Sequence, residues 1–438
     1  MVVIDAPPAV PGTRRVSAAV AAAGVSSFAL LYAPQPVLPQ LAAAFRLDPG
    51  SASLAIGVAT GSLAVAVLPA AWLAGLVGRR RVILWSVVLS AMIGLLLPLA
   101  PSFPVLLAMR AVQGVAIAGF AGVAAAYLAD VVGTARLPGA VGAMIAGNSV
   151  GGMLGRLGAG FAAGPMGWHG ALLVVAGVSG LCALFAARTL PRAAARTHPP
   201  AADHTTDRAQ PARLSGDCGH TPLVHETGEN DGDADVAPRQ KAHRPGREAE
   251  AGRRMGAGLV VPFVVGALAM GAFVALYNAA GFRLTAPPLS LTPAAASLVF
   301  LAYAMGTASS AAAGRVASRL GRSKALVAAL LLTVAGSLLT IPTSLPLVAA
   351  GFAVLTAGFF AAHAIANAWV TAEATPHARG RAAGVYTLCY YLGSGAGGTV
   401  GSIVYGHAGW TWLIALTSAW LLLAIAAVLI RRRSPARI

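Results

Sequence analysis

Two arginines and one histidine lie inside long apolar stretches of this sequence, where ionisable side chains are rare. Arg110 and Arg156 stand in the first half of the chain, and His363 stands in the second. An ionised side chain that faces lipid at such depth costs at least about 2.5–3.5 kcal/mol, so each arginine should face the protein interior or water. The two arginines therefore predict a positive field that favours a solute with acidic or strongly hydrogen-bonding groups.

The histidine is the best candidate for proton exchange, because imidazole titrates near neutral pH. No Asp or Glu lies in the middle of any apolar stretch, so His363 has no acidic competitor for that role. A structural alternative stays open for each residue. Arg110 and Arg156 could bond the backbone carbonyls of neighbouring helices, Arg110 could extend outward to the headgroups, and His363 could be a neutral histidine bonded to a neighbouring helix.

A pair of prolines near the end of the first apolar stretch points to the same interior. Pro34 and Pro36 cannot donate backbone hydrogen bonds, so helix carbonyls near Gln35 are left unpaired. Irregular backbone at membrane depth is tolerated only where it lines protein or a cavity. Each tyrosine nearby, Tyr277 most of all, could instead lie at the membrane interface. The predicted cavity set is Tyr32, Gln35, Arg110, Gln113, Asn148, Arg156, Tyr277, Asn278, His363, Asn367, Tyr390 and Tyr391.

The elements that must position these residues are membrane-spanning helices. Of the 438 residues 57% are hydrophobic and 10% are charged, whereas a soluble protein carries about 25% charged residues. A helix needs about 20 residues to cross a bilayer. The sequence thus predicts an all-α polytopic membrane protein with twelve transmembrane helices, six on each side of a long polar segment. The predicted spans are 16–41, 54–77, 82–100, 105–128, 137–164, 170–190, 259–282, 294–317, 325–341, 345–371, 382–406 and 411–430.

The formal net charge of +17 is concentrated in the loops of one membrane face. Basic clusters follow the second, eighth, tenth and twelfth spans, whereas the loops between carry little charge beyond Arg46 and Arg283. This alternation is the positive-inside pattern, and it places both termini and the polar segment in the cytoplasm. Basic loops beside a lipid bilayer are expected without nucleic acid, so no nucleic-acid partner is predicted.

The two apolar halves repeat each other. The turn at 78–81 (Gly-Arg-Arg-Arg) recurs at 321–324 (Gly-Arg-Ser-Lys), an offset of 243 residues, and the pair Gly167 and Trp168 recurs as Gly409 and Trp410. Repeats of the same topology are a transporter architecture whose substrate site lies between the halves. The predicted domains are a tail at 1–15, a six-helix bundle at 16–190, a disordered linker at 191–255, a second six-helix bundle at 256–431 and a tail at 432–438.

Several motifs resemble those of one transporter family. The basic turns at 78–81 and 321–324 look like the cytoplasmic loop motif of the major facilitator superfamily, and 110–114 (Arg-Ala-Val-Gln-Gly) resembles its fourth-helix motif Arg-x-x-Gln-Gly. Four further stretches resemble a narrower bacterial branch, the YnfM-type inner-membrane transporters. They are 31–36 (Leu-Tyr-Ala-Pro-Gln-Pro), 147–156 (Gly-Asn-Ser-Val-Gly-Gly-Met-Leu-Gly-Arg), 358–363 (Gly-Phe-Phe-Ala-Ala-His) and 390–393 (Tyr-Tyr-Leu-Gly).

The resemblance implies the superfamily fold and a monomeric secondary transporter of the bacterial inner membrane. Such a protein would export a small organic solute or drug by alternating access, in exchange for protons and without a cofactor. Proton-linked uptake or facilitated diffusion of a metabolite is an alternative, and a transporter-like sensor that signals through the linker is another. The sequence shows no nucleophile–base pair and no metal cluster, so neither an enzyme nor a resident metal is predicted; the linker histidines His198, His204, His220 and His225 would hold a metal only loosely.

The loop motif departs from the family pattern in both halves. Gly75 and Ser318 occupy the positions where the family usually carries an Asp that helps to latch the cytoplasmic side. Asp130 and Glu373 each end a span near a basic turn and could replace that acid, or they could be solvated helix ends. The predicted cytoplasmic gate is Arg79, Arg80, Arg81, Asp130, Arg319, Arg322, Lys324 and Glu373.

Overall fold

The computed structural model describes residues 11–132, 136–191, 245–375 and 378–433, and this part of the chain contains helices and no strand, which confirms the all-α prediction. The helices are α1 (Pro11–Tyr32), α2 (Leu38–Phe45), α3 (Pro49–Val77), α4 (Arg79–Leu96), α5 (Phe103–Val132), α6 (Leu137–Thr189), α7 (Pro245–Thr285), α8 (Pro293–Ser297), α9 (Tyr303–Leu320), α10 (Arg322–Leu339), α11 (Leu345–Glu373) and α12 (Arg379–Arg433). Short 3₁₀ helices at Gln35–Val37, Leu97–Leu99 and Leu298–Ala302 join or extend them. The predicted linker and tails lie largely outside the described residues.

Ten stretches of the described chain are long and apolar enough to cross a membrane. Two of them, in α6 and α12, are helices of 53 and 55 residues, which at 1.5 Å per residue would be about 80 Å long. Each contains one non-helical residue, Gly167 (φ 62°, ψ −175°) and Gly409 (φ 80°, ψ −173°). Glycine adopts this backbone conformation where other residues would be strained. Dividing each helix at its glycine gives two membrane-length segments, in keeping with the predicted count of twelve.

Glycines also form the tight turns that join neighbouring spans. Gly78 (φ 95°) is the single residue between α3 and α4, and Gly321 (φ 80°) is the single residue between α9 and α10. Because each turn is so short, Arg79 and Arg322 begin the following helix directly. We call the membrane face that carries these two turns the basic end, and the other face the opposite end.

Small residues bring the helix backbones into close contact. Gly147, Gly151 and Gly155 of α6 lie against the α1 backbone so closely that a Cβ would overlap atoms of that helix. Gly393 and Gly397 of α12 lie in the same way against α7. The two six-helix halves therefore pack their corresponding helices through corresponding glycines, as expected in lipid, where close van der Waals contact drives helix association.

The two halves meet along α3 and α12, which run antiparallel. Pro49 of α3 contacts Gly406 of α12 at the opposite end, and Gly57 faces Gly395 and Thr399 nearer the middle. A second contact joins Gly160 of α6 to Ser297 of α8. Nearer the basic end the halves also touch, since a Cβ on Gly384 of α12 would lie 2.8 Å from the Cδ2 of Leu68 in α3. The contact between the halves therefore extends from the opposite end to Leu68.

Candidate functional site

Arg110 fills a defect in the backbone of α1. Pro34 has no N–H, so the carbonyl of Leu30, four residues earlier, loses its helical partner. The Nη1 of Arg110 donates to this carbonyl at 3.0 Å, its Nη2 donates to the carbonyl of Leu31 at 2.5 Å, and its Nε donates to the carbonyl of Ala55 at 2.7 Å. The side chain is fully buried. The guanidinium therefore ties the end of α1 to α3.

The next residues of the same motif complete this clamp. The Oε1 of Gln113 accepts a 2.5 Å hydrogen bond from Arg110, and its Nε2 donates to the carbonyl of Ser90 in α4 at 2.9 Å. Gly114 lies so close to the backbone oxygen of Ala59 that any Cβ would overlap it. The geometry of Arg110 and Gln113 thus fits the structural alternative, in which they bond helix carbonyls within the first half rather than line a cavity.

Arg156 has different surroundings, although only 2% of it is exposed. Its Nε donates to the Oε1 of Gln35 at 2.5 Å, and its Nη1 donates to the carbonyl of Gly152 at 2.7 Å. The guanidinium carbon lies 4.0 Å from the ring centroid of Tyr32 and 4.6 Å from that of Tyr303. A third ring, Phe300, lies at 5.4 Å. Since Tyr32 belongs to the first half and the other rings to the second, the cation is held between the halves by cation–π contacts.

Gln35 continues this network into the second half. Its Nε2 donates a 2.7 Å hydrogen bond to the Oδ1 of Asn278, and both side chains are buried. The Nδ2 of Asn278 is buried without a hydrogen-bond partner among the described residues, and it approaches Gly398. Arg156, Gln35 and Asn278 therefore form one polar chain across the interface, and its last member retains a free donor.

Four tyrosine hydroxyls surround this chain. They belong to Tyr32, Tyr303, Tyr390 and Tyr391. None of these hydroxyls has a hydrogen-bond partner within the described part of the structure, and none is fully enclosed by protein atoms, so each reaches open space. The rings of Tyr32 and Tyr303 contact the Arg156 guanidinium, Tyr391 belongs to the same buried cluster as Tyr32, and the rings of Tyr390 and Tyr391 lie 5.2 Å apart. We define the central cluster as Arg156, Gln35, Asn278 and these four tyrosines.

His363 borders the central cluster. Its Nδ1 lies 2.9 Å from the Tyr386 hydroxyl, and its ring centroid lies 4.6 Å from that of Tyr390. The ring also stacks with Phe359 at 6.2 Å. The described structure places no carboxylate beside this histidine. Its surroundings match both open interpretations, a neutral histidine bonded to a neighbouring helix and a proton carrier that reaches the cluster through Tyr390.

The other predicted cavity residues are not members of the cluster, although the ring of Tyr277 lies 5.3 Å from that of Tyr303. Tyr277 is 1% exposed, donates or accepts a 2.7 Å hydrogen bond with Thr356, and packs among rings in the core of the second half. Asn148 points its Oδ1 at Gly24 of α1 and has no partner for that atom among the described residues. Asn367 is exposed. Two of the ring contacts of Arg156, Phe300 and Tyr303, escaped the sequence analysis, because aromatic residues in an apolar run have no distinguishing type or spacing.

The residues predicted as a gate lie at the basic end and pair within their own halves. Asp130 forms an ion pair with Arg79, and Glu373 forms one with Arg431 at 2.8 Å. The guanidinium of Arg322 lies 4.9 Å from the ring of Trp369. The remaining predicted members have backbone contacts or are exposed at this end: Arg80 donates to Leu190 O at 2.9 Å, Arg81 donates to Val77 O at 3.3 Å, and Arg319 and Lys324 are exposed.

A separate cavity of about 360 Å³ opens at the opposite end, away from the central cluster. Arg283, Tyr405 and Trp410 of the second half line it, and Pro49 is its contact with the first half. The Nη2 of Arg283 donates to the carbonyls of Thr340 and Ile341 just past α10, and the guanidinium carbon lies 4.9 Å from the ring of Trp410. Its Nε has no partner among the described residues. The central cluster is the candidate site, because side chains of both halves form it around the buried charge of Arg156.

Comparison with known proteins agrees with this architecture. The sequence profile of the Major Facilitator Superfamily matches residues 20–287 and 263–438. The inner membrane transport protein YnfM of Escherichia coli (strain K12) is 34% identical over 415 residues, covering 95% of this chain and 90% of that protein. The uncharacterized MFS-type transporter YybF of Bacillus subtilis (strain 168) is 30% identical over 415 residues, covering 95% of this chain and 93% of that protein.

Two solved structures share the fold. A bacterial homolog of the human lysosomal transporter Spinster, in an inward-facing and occupied conformation, has a TM-score of 0.73, with 15% identity and 98% coverage of both chains. A mutant form of the nucleoside transporter NupG has a TM-score of 0.65, with 14% identity, covering 95% of this chain and 99% of that one. At these identities the likeness extends to the fold alone.

Proposed function

The chain belongs to the major facilitator superfamily and is a membrane transporter rather than an enzyme, and from this premise we propose that it exports a small organic solute in exchange for protons. It would act as a monomer in the bacterial inner membrane, with both termini in the cytoplasm. Its two halves would rock about the central cluster and expose it to each side in turn. The relatives support a transporter, and the name of the Escherichia coli relative supports the inner-membrane location.

The observation that carries this proposal is the polar chain from Arg156 through Gln35 to Asn278. It crosses from one half to the other inside the protein, where a solute bound to it would contact both halves. A site made by both halves is what alternating access requires, because the solute must be released when the halves separate on either side.

Proton coupling is assigned to His363. It is the only histidine within the described spans whose ring contacts the central cluster, through Tyr390, and it has a hydrogen-bond partner in Tyr386. Since the described spans carry no acid at mid-membrane depth, a proton that moves against the solute has this imidazole as its carrier.

Transport in inside-out vesicles tests the proposal. Vesicles that contain the protein should accumulate compounds from a panel of small organic solutes when the lumen is acidified, and an uncoupler should abolish this accumulation. The His363→Gln variant should lose the dependence on the pH gradient while it still exchanges solute across the membrane. Uncoupler-resistant accumulation, or a full pH-gradient dependence in His363→Gln, would refute proton exchange through this residue.

Deletion of the linker distinguishes a transporter from a sensor. A variant that lacks residues 197–250 should retain solute accumulation if the protein is a transporter. Loss of every cellular response while the helical bundle still binds solute would instead favour a sensor. The residues deleted lie largely outside the described structure and outside the central cluster.

A further inference from the structure

The positive charge of Arg156 has no partner of opposite sign in the described structure. The ion pairs there join Arg79 to Asp130 and Arg431 to Glu373, both at the basic end. The Nε and Nη1 of Arg156 are bonded to neutral oxygens, and its ring neighbours contribute no formal charge. A buried cation without a counter-ion raises the free energy of the empty site. An anion that enters can form the ion pair with Arg156 that no protein side chain provides.

The shape of the site determines how an anion can approach. The rings of Tyr32 and Tyr303 lie near the guanidinium, so its faces are already in contact with aromatic carbon. The Nη2 carries no hydrogen bond to the described residues, and Nη1 uses one hydrogen for Gly152. These two nitrogens form one edge of the guanidinium fork, and this edge matches the two oxygens of a carboxylate.

The rest of the central cluster suits an aromatic body rather than an aliphatic one. The rings of Tyr390 and Tyr391 lie 5.2 Å apart and edge to face, and Tyr390 continues through His363 to Phe359. The hydroxyls of the four tyrosines, which are not fully enclosed, supply donors at the rim. Aromatic rings gain from offset or edge contacts with such a lining, beyond the area that they bury.

From these contacts we propose that the solute is an organic monoanion with an aromatic ring, whose carboxylate binds the Nη1–Nη2 edge of Arg156. This inference rests on the proposed function and names the class of its substrate. Tyr32, Tyr303, Tyr390 and Tyr391 surround the ring of the solute. Gln35 bonds Arg156 on one side and Asn278 on the other, so it fixes their relative position.

The test measures binding rather than transport, so its failure is separable from failure of the proposed function. The full-length protein is placed in phosphatidylcholine nanodiscs, which contain no anionic lipid headgroup to compete for the site. Dissociation constants are then measured by ligand-observed NMR at pH 7.5 for matched pairs: benzoate with benzamide, indole-3-acetate with indole-3-acetamide, and cyclohexanecarboxylate as a non-aromatic anion.

We expect the aromatic carboxylates to bind at least about tenfold more tightly than their amides, since a charged hydrogen bond contributes about 1.5–3 kcal/mol. Arg156→Gln should remove this difference, Arg156→Lys should retain part of it, and the exposed control Arg188→Gln should leave it unchanged. Thermal unfolding of each variant shows that it is folded. The inference is overturned if amides bind as tightly as carboxylates, if the difference survives in Arg156→Gln, or if no aromatic carboxylate binds at all.

Discussion

The side chain of Gln35 donates a 2.7 Å hydrogen bond to Asn278, which joins the end of the first span of one half to the first span of the other half. The Leu-Tyr pair at 31–32 recurs at 276–277, so Gln35 and Asn278 lie two positions from equivalence in the repeats. The first spans of the two halves therefore meet at the central cluster. Arg156 breaks the symmetry there, because it bonds Gln35 from the first half only and no second arginine approaches Asn278 in the described structure.

Gln35→Glu is expected to close the site to anions. The new carboxylate would lie where the amide oxygen is now, 2.5 Å from the Nε of Arg156, and would neutralise its charge. We expect the affinity for aromatic carboxylates to fall at least about tenfold, with little change for the corresponding amides. Dissociation constants measured in nanodiscs report both quantities.

The control for this variant is Gln35→Met, which has a similar volume and no charge. It should weaken the contact with Asn278 but leave the preference of Arg156 for anions. Equal affinities of Gln35→Glu and the wild type for carboxylates would show that the solute does not use the charge of Arg156.

Arg110→Gln is expected to destabilise the fold rather than change the choice of solute. The carbonyls of Leu30 and Leu31 would lose the donors that replace the helical partners missing at the proline break. A buried carbonyl without a partner costs about 1–3 kcal/mol, so two would cost roughly 2–6 kcal/mol. Thermal unfolding in detergent should show the loss, and Arg156→Gln, which frees a single helix carbonyl, should lose less. A stable Arg110→Gln with altered solute preference would assign this arginine to the cavity instead.

The helices of this protein were predictable because long apolar stretches in a membrane protein have few alternatives to helix. The bounds of the predicted spans also agree with the connections at Gly78 and Gly321 and with the breaks at Gly167 and Gly409. The three 3₁₀ segments at Gln35–Val37, Leu97–Leu99 and Leu298–Ala302 were not predicted as such, although the prolines beside Gln35 indicated irregular backbone.

The central cluster was predictable in part. The sequence identified Arg156, Gln35 and Asn278, because polar groups at membrane depth must face other polar groups. It could not decide whether Arg110 lines a cavity, since that depends on which side of α5 faces α1. Tyr303 was missed for a related reason. Aromatic rings occur in protein cores, at membrane interfaces and beside cations, and only the fold shows which of these environments a given ring has.

Asp48→Ala is expected to destabilise the start of α3 in a pH-dependent way. Asp48 caps this helix, because its carboxylate accepts hydrogen bonds from the backbone N–H of Ser51 at 3.1 Å and from its hydroxyl at 2.5 Å. These hydrogen bonds lower the pKa of Asp48. The stabilisation is therefore complete above the usual pKa of about 3.9 and is lost as the pH falls through the lowered value.

At pH 7 the loss of this cap should cost about 0.5–2 kcal/mol. Thermal unfolding of wild type and variant at several pH values should show curves that converge in strong acid. A difference that stays constant down to that range would mean that the carboxylate does not act as the cap in its charged form.

Gly114→Ala is expected to separate α5 from α3, and Gly75→Ala is its matched control. A Cβ at position 114 would overlap the backbone oxygen of Ala59, whereas a Cβ at position 75 would meet open space in the same membrane protein. Overpacking of this kind costs about 1–3 kcal/mol, while alanine in place of a helical glycine stabilises by up to about 1 kcal/mol. The two variants should therefore shift the thermal midpoint in opposite directions.

Because Gly114 adjoins the clamp of Arg110 and Gln113, the Gly114→Ala variant should also loosen the end of α1, which limited proteolysis near Gln35 can detect. A Gly114→Ala protein as stable as the wild type would show that α3 and α5 can separate without a loss of stability. The glycine of the motif at 110–114 would then not be required for helix packing.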